Sequence, residues 1–213
     1  MVNGLVLFVF ENNILDFGYA SLDRFFQLAP WILLLLIPAI TMRSFADEFK
    51  GGTYEILQTR PLSRWQITTG KYFGNLIVVL IALVPTVIYF FTIQKLSAGV
   101  GIDTGATLGS YIGLIFLAAV FTAIGLCASS FTSNALVAFI VSLVSCALLY
   151  YGFNSISHLP VFKNGADYYT EMIGIDFHYH SVSRGVVDTR DLFYFISVIV
   201  LFLSITNRNL LKR

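Results

Sequence analysis

Polar and apolar positions in this chain fall into long blocks, without the spacing of three and four residues that marks a helix half-buried in a soluble core. Residues 25–42, 72–94 and 104–162 contain no Asp, Glu, Lys or Arg, and a helix needs about 20 mostly apolar residues to cross a hydrocarbon core about 30 Å thick. The run 104–162 is far too long for one crossing and must fold back on itself. The polar cluster Ser129-Ser130-Phe131-Thr132-Ser133-Asn134 stands where a turn divides it, which predicts spans near 108–128 and 135–153. A last span near 192–207 is short, with Arg190 and Arg208 able to snorkel to the interfaces. The apolar stretch 2–10 is under half a span. It lacks the basic start and small-residue cleavage site of a signal peptide, and is expected to be part of a truncated first helix. With that fragment, the pattern predicts an all-α polytopic membrane protein of six transmembrane helices, forming a single domain over residues 1–213. Pro30, Pro38 and Pro85 fall inside spans, where each removes a backbone bond and bends its helix.

Composition excludes the alternatives. Of 213 residues 57% are hydrophobic and 12% charged, with a mean hydropathy of +0.79, whereas an ordinary soluble domain is about 25% charged. So few charges cannot cover a soluble globule, and disorder or collagen would need lower hydrophobicity or more Gly and Pro. A net charge of +1 offers no field for nucleic acid. Cys127 and Cys146 lie inside apolar runs and read as small core residues.

The placement of the charges carries more than their number. If the segment 43–71 is cytoplasmic, that side holds Arg43, Lys50, Arg60, Arg64, Lys71, Arg208, Lys212 and Arg213. The other side holds Arg24, Lys95, Lys163, Arg184 and Arg190. The positive-inside rule then puts both termini in the cytoplasm.

Residues 43–71 are densely punctuated. Gly51-Gly52 ends the helix continuing from the second span, Thr53 is placed to cap a two-turn helix over 54–59, and Pro61 stops it. Ser63 and Gln66 make the S-x-x-Q capping box of the next helix. The short helix is expected to present Tyr54, Ile56 and Leu57 beside charges. Spacing leaves two readings, an interfacial helix at headgroup level and a docking helix for a soluble partner.

Catalytic chemistry is missing from the sequence. There is no G-x-x-x-x-G-K-[ST], no H-E-x-x-H, no G-x-S-x-G, and no Asp, Glu, Lys, Arg or His within the predicted spans to serve a proton relay. His178-Tyr179-His180 near Asp176 has the i, i+2 spacing of a strand and no third ligand, so it reads as a polar outer-loop face and no metal or other cofactor is expected. Asp188 is placed to cap the last span with Asp191 at its third position, and Arg184 and Arg190 read as loop residues. Tyr150, Tyr151, Tyr168, Tyr169 and Tyr194 suggest an outer aromatic belt.

Arg43-Ser-Phe-Ala-Asp-Glu48, Gly52-Thr-Tyr-Glu-Ile-Leu57, Arg60-Pro-Leu-Ser63, Gly70-Lys-Tyr72 and the outer run from Ser183 to Phe195 together resemble the type-2 ABC exporter permeases, and within them the permease subunits associated with gliding motility. The resemblance covers essentially the whole chain. It implies a bacterial inner-membrane permease in which the short helix is a coupling helix seated in a groove of an ABC ATP-binding subunit, alongside a second permease subunit and the lipid bilayer. Asp47, Glu48, Gly52, Thr53, Tyr54, Glu55, Ile56 and Leu57 would form the ATPase-coupling site, and Arg184, Asp188, Arg190 and Asp191 an outer gate. A membrane scaffold or channel subunit working without nucleotide is the alternative.

Overall fold

A computed structural model of the chain describes residues 22–59, 61–97, 101–158, 167–185 and 188–211. The expected partial helix at 2–10 lies outside these residues. Eleven α-helices are assigned among them: α1 Asp23–Thr41, α2 Arg43–Gly51, α3 Thr53–Gln58, α4 Arg64–Leu83, α5 Val87–Leu96, α6 Thr104–Phe131, α7 Ala135–Ala147, α8 Phe153–Ser157, α9 Asp167–Glu171, α10 Ile175–Val182 and α11 Thr189–Leu210. No strand occurs among the described residues, and the fold is that of an all-α polytopic membrane protein.

Five helical segments are long and apolar enough to cross a bilayer: Asp23–Gly51, Arg64–Leu96, Thr104–Phe131, Ala135–Ser157 and Thr189–Leu210. The second has 33 residues, about 50 Å at the rise of an α-helix, so it overruns the hydrocarbon core. Its first residues, Arg64 to Lys71, stand at the end carrying residues 43–71, called here the loop end.

Helix α6 is the axis of the bundle. It is buried along most of its length and packs against α1, α4, α7 and α11. Leu114, Leu117, Phe121 and Ile124 meet Phe25, Leu33 and Ile37 of α1, Val79 of α4 and Phe195 of α11 in one core. A second cluster closes the loop end, joining Phe45, Tyr54, Ile67 and Tyr72 to Ala123, Leu126, Leu203 and Leu210. The outer face of α4 and α5 stays apolar and exposed through Phe73, Ile77, Ile81, Ile88 and Phe91. That is the character of a helix face solvated by lipid tails.

Proline interrupts the helical ladder at three positions. Pro85 sits in a 3-10 turn, Val84–Thr86, between α4 and α5. There Tyr111 Oη donates to the Thr86 carbonyl at 3.0 Å. Pro30 and Pro38 both lie inside α1.

Several sequence expectations change. The turn after α6 is only Thr132 to Asn134, with Asn134 Oδ1 accepting from Leu136 N at 3.0 Å. Ser129 and Ser130 belong to α6 and are fully buried, because a serine in a long membrane helix finds partners on its neighbours. Residues 175–182 are a helix, so the His178 and His180 pair is not strand-spaced. Tyr150 lies in the core at 3% exposure and is no belt residue.

Candidate functional site

The loop end is built on a left-handed residue. Gly52 has φ +67 and its N–H donates to the Glu48 carbonyl, closing α2. This conformation favours glycine and turns the chain so that α3 folds back on α2. Phe45, Phe49 and Tyr54 then meet, with the Phe49 and Tyr54 rings 5.1 Å apart and edge-on. Thr53 is the first residue of α3, and Gly52 takes the cap position expected for it. The Thr53 hydroxyl donates back to the Glu48 carbonyl at 3.4 Å. At the other side of the loop, Ser63 and Gln66 form both bonds of the capping box, 2.8 and 3.3 Å.

The eight coupling candidates separate into two groups. Asp47, Gly52, Thr53, Glu55 and Ile56 are exposed, and Ile56 stands 64% exposed to the surroundings. Tyr54 is 4% exposed, which corrects the expectation that it is presented outward. Leu57 is half-buried against the second core cluster. Glu48 is partly buried and bridges to Lys71 Nζ at 2.5 Å, while the same ammonium donates to the Ser44 carbonyl at 2.7 Å and lies 5.0 Å from the Phe45 ring centre. Lys71 therefore fastens α4 to α2 by three contacts. Asn75, one turn further along, adds a bond from Nδ2 to Ser44 Oγ at 2.7 Å.

The opposite end holds a cavity of about 600 Å³. All four outer-gate candidates, Arg184, Asp188, Arg190 and Asp191, line it together with His178. Asp188 caps α11 by accepting from Arg190 N at 3.1 Å. Asp191 and His178 are buried, with Nδ1 2.7 Å from Asp191 Oδ1 and Nε2 2.9 Å from the Met172 carbonyl. His178 therefore joins α10 to α11 and is not part of a polar outer face. Among the described residues no cluster of three or more His, Cys, Asp or Glu could hold a metal ion.

Helix α10 is fixed to the bundle by close backbone approach. A Cβ on Gly109 would lie 2.6 Å from Gly185 Cα, and Gly185 itself has φ +86. Tyr179 Oη donates to the Phe26 carbonyl at 2.7 Å. Burial, followed by the nearby Asp176 carboxylate and Tyr151, raises the Tyr179 phenol above its usual range and keeps it a donor.

Sequence reasoning missed four hydroxyl and amide contacts at the loop end of α6. Ser129 Oγ accepts from Phe45 N at 3.0 Å and Ala46 N at 3.2 Å, and donates to the Met42 carbonyl at 3.0 Å. Asn209 Nδ2 of α11 donates to the Ser130 carbonyl at 2.6 Å. Their only signal was two adjacent serines within a charge-free run.

Residues 11–206 match the family profile of the ABC-2 family transporter proteins, and the chain belongs to that family. It is thus a membrane-embedded permease component of an ABC transporter, a multi-pass membrane protein whose transporter includes an ATP-binding subunit. A search of the curated proteins finds no match to the chain.

Proposed function

We propose that this chain is the transmembrane permease subunit of an ATP-driven exporter, coupled to a separate ATP-binding chain through residues 43–71. One observation carries the reading: a six-residue helix, α3, exposes Glu55 and Ile56 while its Tyr54 is locked into the bundle. An exposed apolar side chain next to a charged one, on a helix anchored from behind, suits docking into a groove of a partner protein. Asp47, Gly52, Thr53, Glu55 and Ile56 make the contact; Glu48, Tyr54 and Leu57 hold the helix in place. The loop end is cytoplasmic, as are both termini, in a bacterial inner membrane.

Nucleotide binding moves α3, and α2 and α4 pass the displacement into the spans. A second permease subunit completes the pathway, with Arg184, Asp188, Arg190 and Asp191 forming its outer gate. Within the family the resemblance of the loop and the outer run favours a gliding-motility-associated permease. The test is co-purification of the ATP-binding subunit with the full chain carrying Glu55→Lys and Ile56→Asp. Recovery is expected to collapse while the permease stays monodisperse; undiminished recovery would overturn the docking reading.

A further inference from the structure

We infer that Ser129 is a positioning residue that transmits movement of the loop end into the central helix; this rests on the coupling reading above. The first described span does not run unbroken into the loop. It stops at Thr41 and restarts at Arg43, with Met42 between. In an uninterrupted helix the Ala46 N–H would donate to the Met42 carbonyl. Here the Ser129 hydroxyl of α6 stands between those groups, accepting from Phe45 N and Ala46 N and donating to Met42 O. A side chain inserted into the hydrogen-bond ladder is a recognised cause of a helix bend.

The joint is clasped on both sides. One turn before Ser129, Gly125 lies so close to Thr41 that a Cβ there would be 2.2 Å from Thr41 Oγ1, and 3.1 Å from Ser142 Oγ of α7. One residue after it, Ser130 receives Asn209 of α11. Residues 125–130 of α6 thus hold the α1–α2 joint, α7 and α11 at one level. Helix α2 cannot tilt about Met42 without dragging the Ser129 hydroxyl or breaking three bonds to it. The hydroxyl is the only polar group that α6 offers to the joint in the described contacts, so its removal should leave the loop docked but slipping relative to α6.

The experiment uses the complex with its ATP-binding subunit in lipid nanodiscs. Amide hydrogen exchange of residues 167–185, at the opposite end, is compared between ADP and a non-hydrolysable ATP analogue. Wild type should show a nucleotide-dependent difference. Ser129→Ala should retain ATP hydrolysis and recovery of the complex yet lose that difference, and Met42→Gly, which loosens the joint without touching the hydroxyl, should lose it too. A difference of wild-type size in either assembled variant overturns the inference, as does failure of both to assemble, which would mark these contacts as serving folding alone. If wild type itself shows no difference, the coupling reading falls first.

Discussion

Tyr54 lies edge-on to Phe49, their ring centres 5.1 Å apart, and this contact turns the most conspicuous residue of the loop inward. The short helix is therefore anchored by an aromatic side chain and projects its neighbours. Among the described residues its buried phenol oxygen has no hydrogen-bond partner. Replacing Tyr54 by Phe should be neutral or stabilising by up to about 1 kcal/mol, since an unpaired buried hydroxyl costs more than it contributes. Tyr54→Ala should cost about 3 kcal/mol through the void left among Phe45 and Phe49. Thermal unfolding of the two variants in detergent checks the order.

Lys71 and Glu48 tie the two helices that flank the loop. Because Lys71 also bonds the Ser44 carbonyl, Glu48→Gln should cost only about 1 kcal/mol, while Lys71→Met, which removes the partner of both, should cost about 2 kcal/mol or more. A double-mutant cycle on unfolding free energy separates the pair from the carbonyl contact.

At the opposite end, Asp191→Asn should be tolerated within about 1 kcal/mol, because an amide can donate to a neutral His178 Nδ1 while Nε2–H keeps the Met172 carbonyl. Asp191→Ala should cost about 2 kcal/mol and loosen α10 against α11. Hydrogen exchange across residues 175–182 reads the difference.

Gly109→Ala should destabilise by about 2 kcal/mol, since the added methyl meets the Gly185 backbone at 2.6 Å and neither backbone can retreat cheaply. Gly70→Ala, where nothing lies within 4 Å, serves as the control and should be neutral or slightly stabilising. Melting temperature compares them.

The spans were legible because a bilayer imposes length and apolarity together, and residues 72–94 or 135–153 have no other use. The loop's punctuation was legible for a local reason. Gly52 and the Ser63–Gln66 box act within four residues of themselves, so spacing suffices to find them. Orientation inside the loop was not legible: two turns of α3 carry too few apolar positions to define a face, and Tyr54 is buried by residues of α2 that the reversal at Gly52 brings back. Ser129 and Ser130 were misplaced because a polar pair suggests a turn in water, whereas inside a bundle it marks where neighbouring helices bond. His178 was misread because its partners Asp191 and Met172 come from beyond its own helix.

The central claim, that the exposed edge of α3 is where the ATP-binding subunit sits, is tested most directly by site-specific photocrosslinking in the assembled transporter. A photoreactive side chain at Ile56 should capture the ATP-binding subunit, and one at Phe193, 74% exposed at the far end of the bundle, should not. Capture from Phe193 with none from Ile56 would contradict the account.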